Sequence, residues 1–448
     1  MIILLALLCT AVPFMLGQRY GLVRLVSPMH LVAYFCFFGF LLKVTVYAAR
    51  PELAFYRRFV ENPWGDQLGA IYLALFILLL CAGYRVACRA SRRADMIVAA
   101  RLVSAGITRK GSLFVVALGV ALATIIVILR ARGATGLDLA LLTSLNTAKQ
   151  INVDANGIGA TLAGIKTFFI IPKFAFVLLL ASAIATRQRR VMVQAGLLGL
   201  LLIVIALISG DRFELVELTV FALVVHMMLV GRVNLRLLAF GALALMLLGG
   251  VSAYMTQLRL GGGPIWAALA DQVVGSTYFL DINAAIMVTD RVTPPDLLLG
   301  QSYTWWSFGW VPRGIWPDKP AIDLGVFFKR DIMGVHTGGA FNVTGPGEAF
   351  INFGWAGIGI GFVLGWVYRK GEVFLLSARG TFRHGTCLLY PILFYPFVQA
   401  TLQSSFSAFI VGAAAQFVLL AVMIWVFVAR YSLWIPSHTR NRSLLHVA

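Results

Sequence analysis

Runs of about 20 apolar residues recur along this chain, and they constrain its fold more than any other feature. Such a run crosses the hydrocarbon of a bilayer as α-helix, the one continuous segment that satisfies its own backbone hydrogen bonds there. The runs lie near 2–17, 28–49, 66–84, 111–130, 166–186, 191–209, 213–230, 237–255, 350–368, 386–403 and 408–429, which predicts eleven spans. Only 12% of the residues are charged, about half the share in a soluble domain. The expected class is therefore an all-α polytopic membrane protein. The first run has no basic stretch before it and no small-residue cleavage site, and reads as a retained span.

The net charge of +19 invites a nucleic-acid reading, but the placement of the charges argues otherwise. Alternate connectors hold Arg19 and Arg24, the run from Arg85 to Lys110, Arg187 to Arg190, Arg232 and Arg236, Arg369 to Arg383, and the tail's Arg430, Arg440 and Arg442. Asp95 and Glu372 are the acids among them. The positive-inside rule places this set in the cytoplasm, with the N-terminus outside and the C-terminus inside. The predicted organisation is spans with short loops over 1–255, a large outer loop over 256–349, and spans with a cytoplasmic tail over 350–448. The five cysteines make no CxxC and no metal spacing with histidine, so neither a disulfide framework nor a zinc site is expected.

A structureless loop of the length of 256–349 would be unusual, so it is expected to contain helices of its own. Residues 265–289 carry apolar positions at three- to four-residue spacing and predict a helix ended by Pro294-Pro295. Leu324 to Met333 predicts a short surface helix with Phe327 and Phe328 dipping into lipid. The stretch Gly300 to Gly357 gathers Trp305, Trp306, Trp310 and Trp316 with many ionisable residues, a composition suited to a membrane–water boundary.

The chain has no GxxxxGK[ST], GxGxxG, HExxH or GxSxG motif. With two acids on the cytoplasmic side, chemistry is expected on the outer side, where a substrate must arrive already activated on a lipid carrier. Asp211 and Glu214 fit a capping box at the start of a span. Glu217, on the Glu214 face, is costly at its depth unless paired, and Arg212 is the nearest partner in sequence. Arg259 reads either as a pyrophosphate ligand or as a snorkelling side chain. Pro312 to Pro320 is held rigid by three prolines. It reads as an anion or sugar clamp of Arg313 and Lys319 with Trp316 as stacking platform, or as an interfacial anchor. Lys329 and Arg330 are further substrate-binding candidates. His336 is a candidate base or a solvated histidine. Glu348, in Thr344-Gly345-Pro346-Gly347-Glu348, is either a helix-start carboxylate or an acid/base group. Lys43 and Lys173 fall near span ends and read as snorkelling.

Gly300-Gln-Ser-Tyr, Pro312-Arg313 through Trp316-Pro317 and Lys319-Pro320, and Pro346-Gly347-Glu348 with Asn352-Phe353-Gly354 and Gly357 together resemble the bacterial O-antigen polymerases. Ser209-Gly210-Asp211-Arg212 is similar to a short signature of that family, and the resemblance covers about 205–370. It implies a multi-pass protein of the bacterial inner membrane with its large loop in the periplasm. It implies transfer of an undecaprenyl-pyrophosphate-linked chain onto a lipid-linked repeat unit, without metal or cofactor. Arg212, Arg259 and Arg313 would then stabilise the departing pyrophosphate, and Glu348 or His336 would serve as base. A flippase and a chain-length regulator are the implied protein partners. A ligase that delivers the same glycan to lipid A core, and a polysaccharide flippase or transporter, are the competing readings.

Overall fold

The structure is a computed structural model that describes residues 1–88, 93–107, 109–131, 167–209, 213–232, 239, 241–243, 246, 250, 254, 279–311, 315–316, 319, 322–336, 340–376 and 386–428. Eight helices among the described residues are long and apolar enough to cross a membrane. They are α1 (Ile2–Tyr20), α2 (Pro28–Ala49), α3 (Gly65–Val86), α5 (Lys110–Ala131), α6 (Ile170–Thr186), α7 (Arg189–Ser209), the broken helix Gly345–Leu376 and α13 (Phe406–Phe427). Of the broken helix, α10 is Gly345–Phe353 and α11 is Ile358–Leu376. The expected spans 213–230 and 386–403 are the helices α8 (Phe213–Val230) and α12 (Tyr390–Gln403). Helix α4 is Arg93–Ala105 and α9 is Ile282–Arg291. The expected span 237–255 lies largely outside the described residues. Among the described residues there is no strand, only an isolated bridge between Ile107 and Val428.

Helices α3 and α11 meet along glycines. A Cβ on Gly365 would sit 1.9 Å from the Leu80 carbonyl oxygen, and one on Gly361 would sit 2.5 Å from that of Phe76. Spaced four apart, the two glycines let the backbones approach as small residues do between membrane helices. We expect Gly365→Ala to cost on the order of 1–3 kcal/mol through overpacking. Gly359→Ala, on the same helix with nothing among the described residues within 4 Å of the added Cβ, should be neutral or slightly stabilising. Thermal midpoints in one detergent check the contrast, and equal midpoints would refute the seam.

The span expected to end at 368 continues to Leu376, which buries Arg369 and Glu372 instead of leaving them in a connector. Arg369 Nη1 donates to Glu372 Oε2 at 2.8 Å and to the Tyr20 carbonyl at 2.9 Å. Glu372 also accepts from the Leu22 N–H at 2.8 Å and the Tyr84 hydroxyl at 2.6 Å. The turn after α1 is thereby clamped to α3 and α11.

On α2, Gly39, Lys43 and Tyr47 share one face at four-residue spacing. Gly39 lies in a π turn, and a Cβ there would sit 1.9 Å from the Leu280 carbonyl oxygen. Lys43 Nζ donates to Asp281 Oδ1 at 2.8 Å, and Asn283 Nδ2 donates to the Tyr47 hydroxyl at 3.0 Å. Lys43 is wholly buried, so it does not snorkel.

The helix expected over 265–289 is broken. Phe279 and Leu280 are not helical, Asp281 is the N-cap, and the helix starts at Ile282, while 265–278 lie outside the described residues. Asp281 stops a helix from running through because its side chain caps the Asn283 N–H. Leu324–Phe327 is helical as expected and leads into a π turn, Phe328–Ile332. Phe328, however, is fully buried. It packs in a second apolar core with Tyr72, Met287, Val343, Phe350 and Ile351, and Phe327 packs against that core. These rings turn inward because α3, α9 and α10 supply more apolar contact there than a lipid boundary would.

Candidate functional site

Helices α6, α8, α12 and α13 surround a cavity of about 380 Å³. That volume falls within the range of small-molecule sites, about 300–1,000 Å³. Lys173 stands one turn into α6, while Glu214 and Glu217, three residues apart on α8, face the same way. Lys173 Nζ lies 2.7 Å from Glu217 Oε2 and 3.2 Å from Glu214 Oε2. The three side chains keep 14%, 15% and 11% exposure, so the cluster is partly open. Glu217 thus finds its partner in Lys173, across 44 residues, and Lys173 does not snorkel. Glu214 belongs to the same cluster, while Asp211, its expected partner in a capping box, lies outside the described residues.

Four side-chain amides line the cavity: Asn342, Gln399, Gln403 and Gln416. Gln399 and Gln403 lie one turn apart on α12, and Gln399 Nε2 donates to Gln403 Oε1 at 3.2 Å. Phe169, Phe221 and Phe409 supply aromatic faces. The wall therefore offers donors, acceptors and flat apolar surface within helices that are otherwise apolar. Sequence reasoning passed over the amides, although their i,i+4 spacing inside an apolar run is a legible signal.

Beside the cavity, α12 and α13 are separated by the extended residues Ser404 and Ser405. The first N–H of α13, on Phe406, donates to Glu348 Oε2 at 2.7 Å. Ser302 Oγ donates to Glu348 Oε1 at 2.7 Å and accepts from Asn352 Nδ2 at 2.7 Å. Asn352 Oδ1 accepts from the Gly300 N–H at 3.0 Å, and the Ser407 hydroxyl donates to the Ser302 carbonyl. The Gly-Gln-Ser turn, the Pro-Gly-Glu helix start and the head of α13 are thus one hydrogen-bonded knot, with Glu348 only 1% exposed. Both carboxylate oxygens meet protein donors, a geometry that favours a positioning role. Thr344, the N-cap of α10, has φ 69° and ψ 152°, a strained conformation for a β-branched residue. It sits where a Cβ on Gly345 would meet the Thr401 carbonyl oxygen of α12 at 1.8 Å. Burial pushes the Tyr303 phenol well above its ordinary range, and the nearby Glu348 carboxylate adds to the effect, so Tyr303 stays a neutral donor.

The other expected site residues scatter. Lys319 Nζ donates to the carbonyls of Gly309 at 3.0 Å and Val311 at 2.8 Å, so it staples its own loop. Trp316 is 41% exposed, with its ring 5.8 Å from that of Phe308. Arg330 is exposed and forked onto Asp331, with both contacts at 2.9 Å. Lys329 is half-buried and His336 exposed, and neither lines the cavity. Arg212, Arg259 and Arg313 lie outside the described residues. Among the described residues no three His, Cys, Asp or Glu side chains converge as a metal site.

The chain matches no family model, no curated protein and no solved structure.

Proposed function

We propose that the protein is a membrane-embedded glycan polymerase of the O-antigen type. It transfers an undecaprenyl-pyrophosphate-linked chain onto a new lipid-linked repeat unit at the periplasmic face of the inner membrane. The observation that carries this reading is the cavity: a Lys–Glu–Glu cluster and three glutamines set into apolar helices, with Asn342 of the Gly300–Gly357 stretch adding a fourth amide to the wall. Sugars need such a mixture of donors and acceptors, and a prenyl tail needs the apolar helix surface beside it. In this reading the basic connectors lie in the cytoplasm, eleven spans cross the bilayer, and the long loop covers the site from the periplasm. The acceptor hydroxyl attacks the anomeric carbon of the donor chain. The bond to pyrophosphate breaks, and Arg212, Arg259 and Arg313 receive the charge that develops there.

The test is the surface and lipid-linked glycan profile of a deletion strain complemented with wild-type protein or with Arg313→Ala. The polymerase reading expects the deletion to keep a single capped repeat and lose the ladder, wild type to restore it, and Arg313→Ala not to. If the deletion loses all surface glycan, the ligase or flippase reading replaces it.

A further inference from the structure

We infer that the cavity between α6, α8, α12 and α13 is the subsite for the acceptor sugar, and that Glu217 takes the proton of its attacking hydroxyl. The inference rests on the glycosyl-transfer reading above and assigns one half of that site.

The charge of the wall decides which substrate group enters. Lys173, the cation among the described lining residues, is already met by Glu217 at 2.7 Å and Glu214 at 3.2 Å. A pyrophosphate placed there would have to compete with two carboxylates for one ammonium in a partly dehydrated site. Sugar hydroxyls face no such competition. They can donate to the carboxylates and exchange bonds with Gln399 and Gln403.

Accessibility decides which group can take the proton. Glu348 is enclosed with both oxygens engaged, and His336 does not line the cavity. Glu217 lines it and keeps 15% exposure. Lys173 holds Oε2, which fixes the carboxylate and leaves Oε1 for the substrate. A second carboxylate beside the lysine has a use in this arrangement. As the acceptor oxygen bonds to the anomeric carbon, its proton passes to Glu217 Oε1, and the electron pair of the broken bond leaves on the pyrophosphate oxygen. Lys173 then keeps Glu214 as counter-ion, so the ammonium is not left bare once Glu217 is protonated.

The experiment uses the purified full-length protein in lipid nanodiscs, with undecaprenyl-pyrophosphate-linked repeat units extracted from the deletion strain. Glu217→Gln is expected to lower kcat by about 10²–10⁴-fold, the usual contribution of a general base, with KM for the repeat unit little changed. Glu217→Asp keeps the charge and the Lys173 pair but withdraws the oxygen by one methylene. It covers the case of a misfolded Gln variant: a lower kcat at an unchanged thermal midpoint supports the inference, and an undiminished kcat overturns it. A Gln variant with wild-type kcat, or with a raised KM alone, also overturns it. Wild-type protein that makes no ladder would remove the polymerase reading itself.

Discussion

Replacing Lys43 with methionine is expected to destabilise the protein by about 3–5 kcal/mol, the usual cost of breaking a buried ion pair from one side. Asp281 is 1% exposed, and its Oδ1 accepts from Lys43 Nζ, from the Asn283 N–H and from Asn283 Nδ2. Among the described residues its Oδ2 has no hydrogen-bond partner, so Lys43 supplies most of what keeps a carboxylate tolerable at that depth. Adding Asp281→Asn to Lys43→Met should recover most of the loss, because both charges then leave together. Asparagine is as good an N-cap as aspartate, so the start of α9 should survive. Thermal unfolding of the two singles and the double in one detergent gives the coupling energy directly. Additive effects would mean that the pair does not hold α2 to the Phe279–Asp281 segment.

The helical membrane class was legible in the sequence because a span is written locally, in about 20 consecutive residues. What the sequence left hidden is written across distance. Lys43 and Asp281 are 238 positions apart, and Lys173 and Glu217 are 44 apart. A lysine near a span end has the same local pattern whether it snorkels or pairs, so pattern alone chose wrongly for both. Phe328 reads as a lipid-facing ring on a short amphipathic turn, and only the joint arrival of Tyr72, Met287 and Phe350 shows that it is core. The Thr344–Glu348 motif lies at a helix start, while the sequence left Glu348 open between a helix-start carboxylate and an acid/base group. That its carboxylate caps a second helix, 58 residues on, depends on where α12 ends. The helix expected over 265–289 failed at Leu280 for a related reason. The Asp281 cap and the tight approach of Leu280 to Gly39 are tertiary features that override an apolar repeat.

Glu348→Ala should give the second large loss, on the order of 2–5 kcal/mol. It strands the Phe406 N–H and the Ser302 hydroxyl, each worth about 1–3 kcal/mol when buried without a partner. Glu348→Gln should cost less. Its amide oxygen can still accept from Phe406, while Ser302, which already accepts from Asn352, must turn its hydroxyl elsewhere. Ser302→Ala should then cost less in the Glu348→Ala background than in wild type, because the hydroxyl has already lost its acceptor and only the bond from Asn352 Nδ2 remains to be lost. The functional consequence runs through position. Gln403 and Ser404 line the cavity immediately before the capped helix, so a frayed head of α13 displaces the wall against which the acceptor would rest. Under the polymerase reading, ladder synthesis should therefore fall with stability across Ala, Gln and wild type. Two results would break that link. A Gln variant as stable as wild type but without activity would make Glu348 a participant in the chemistry. An Ala variant with an unchanged thermal midpoint would show that the knot does not hold α13.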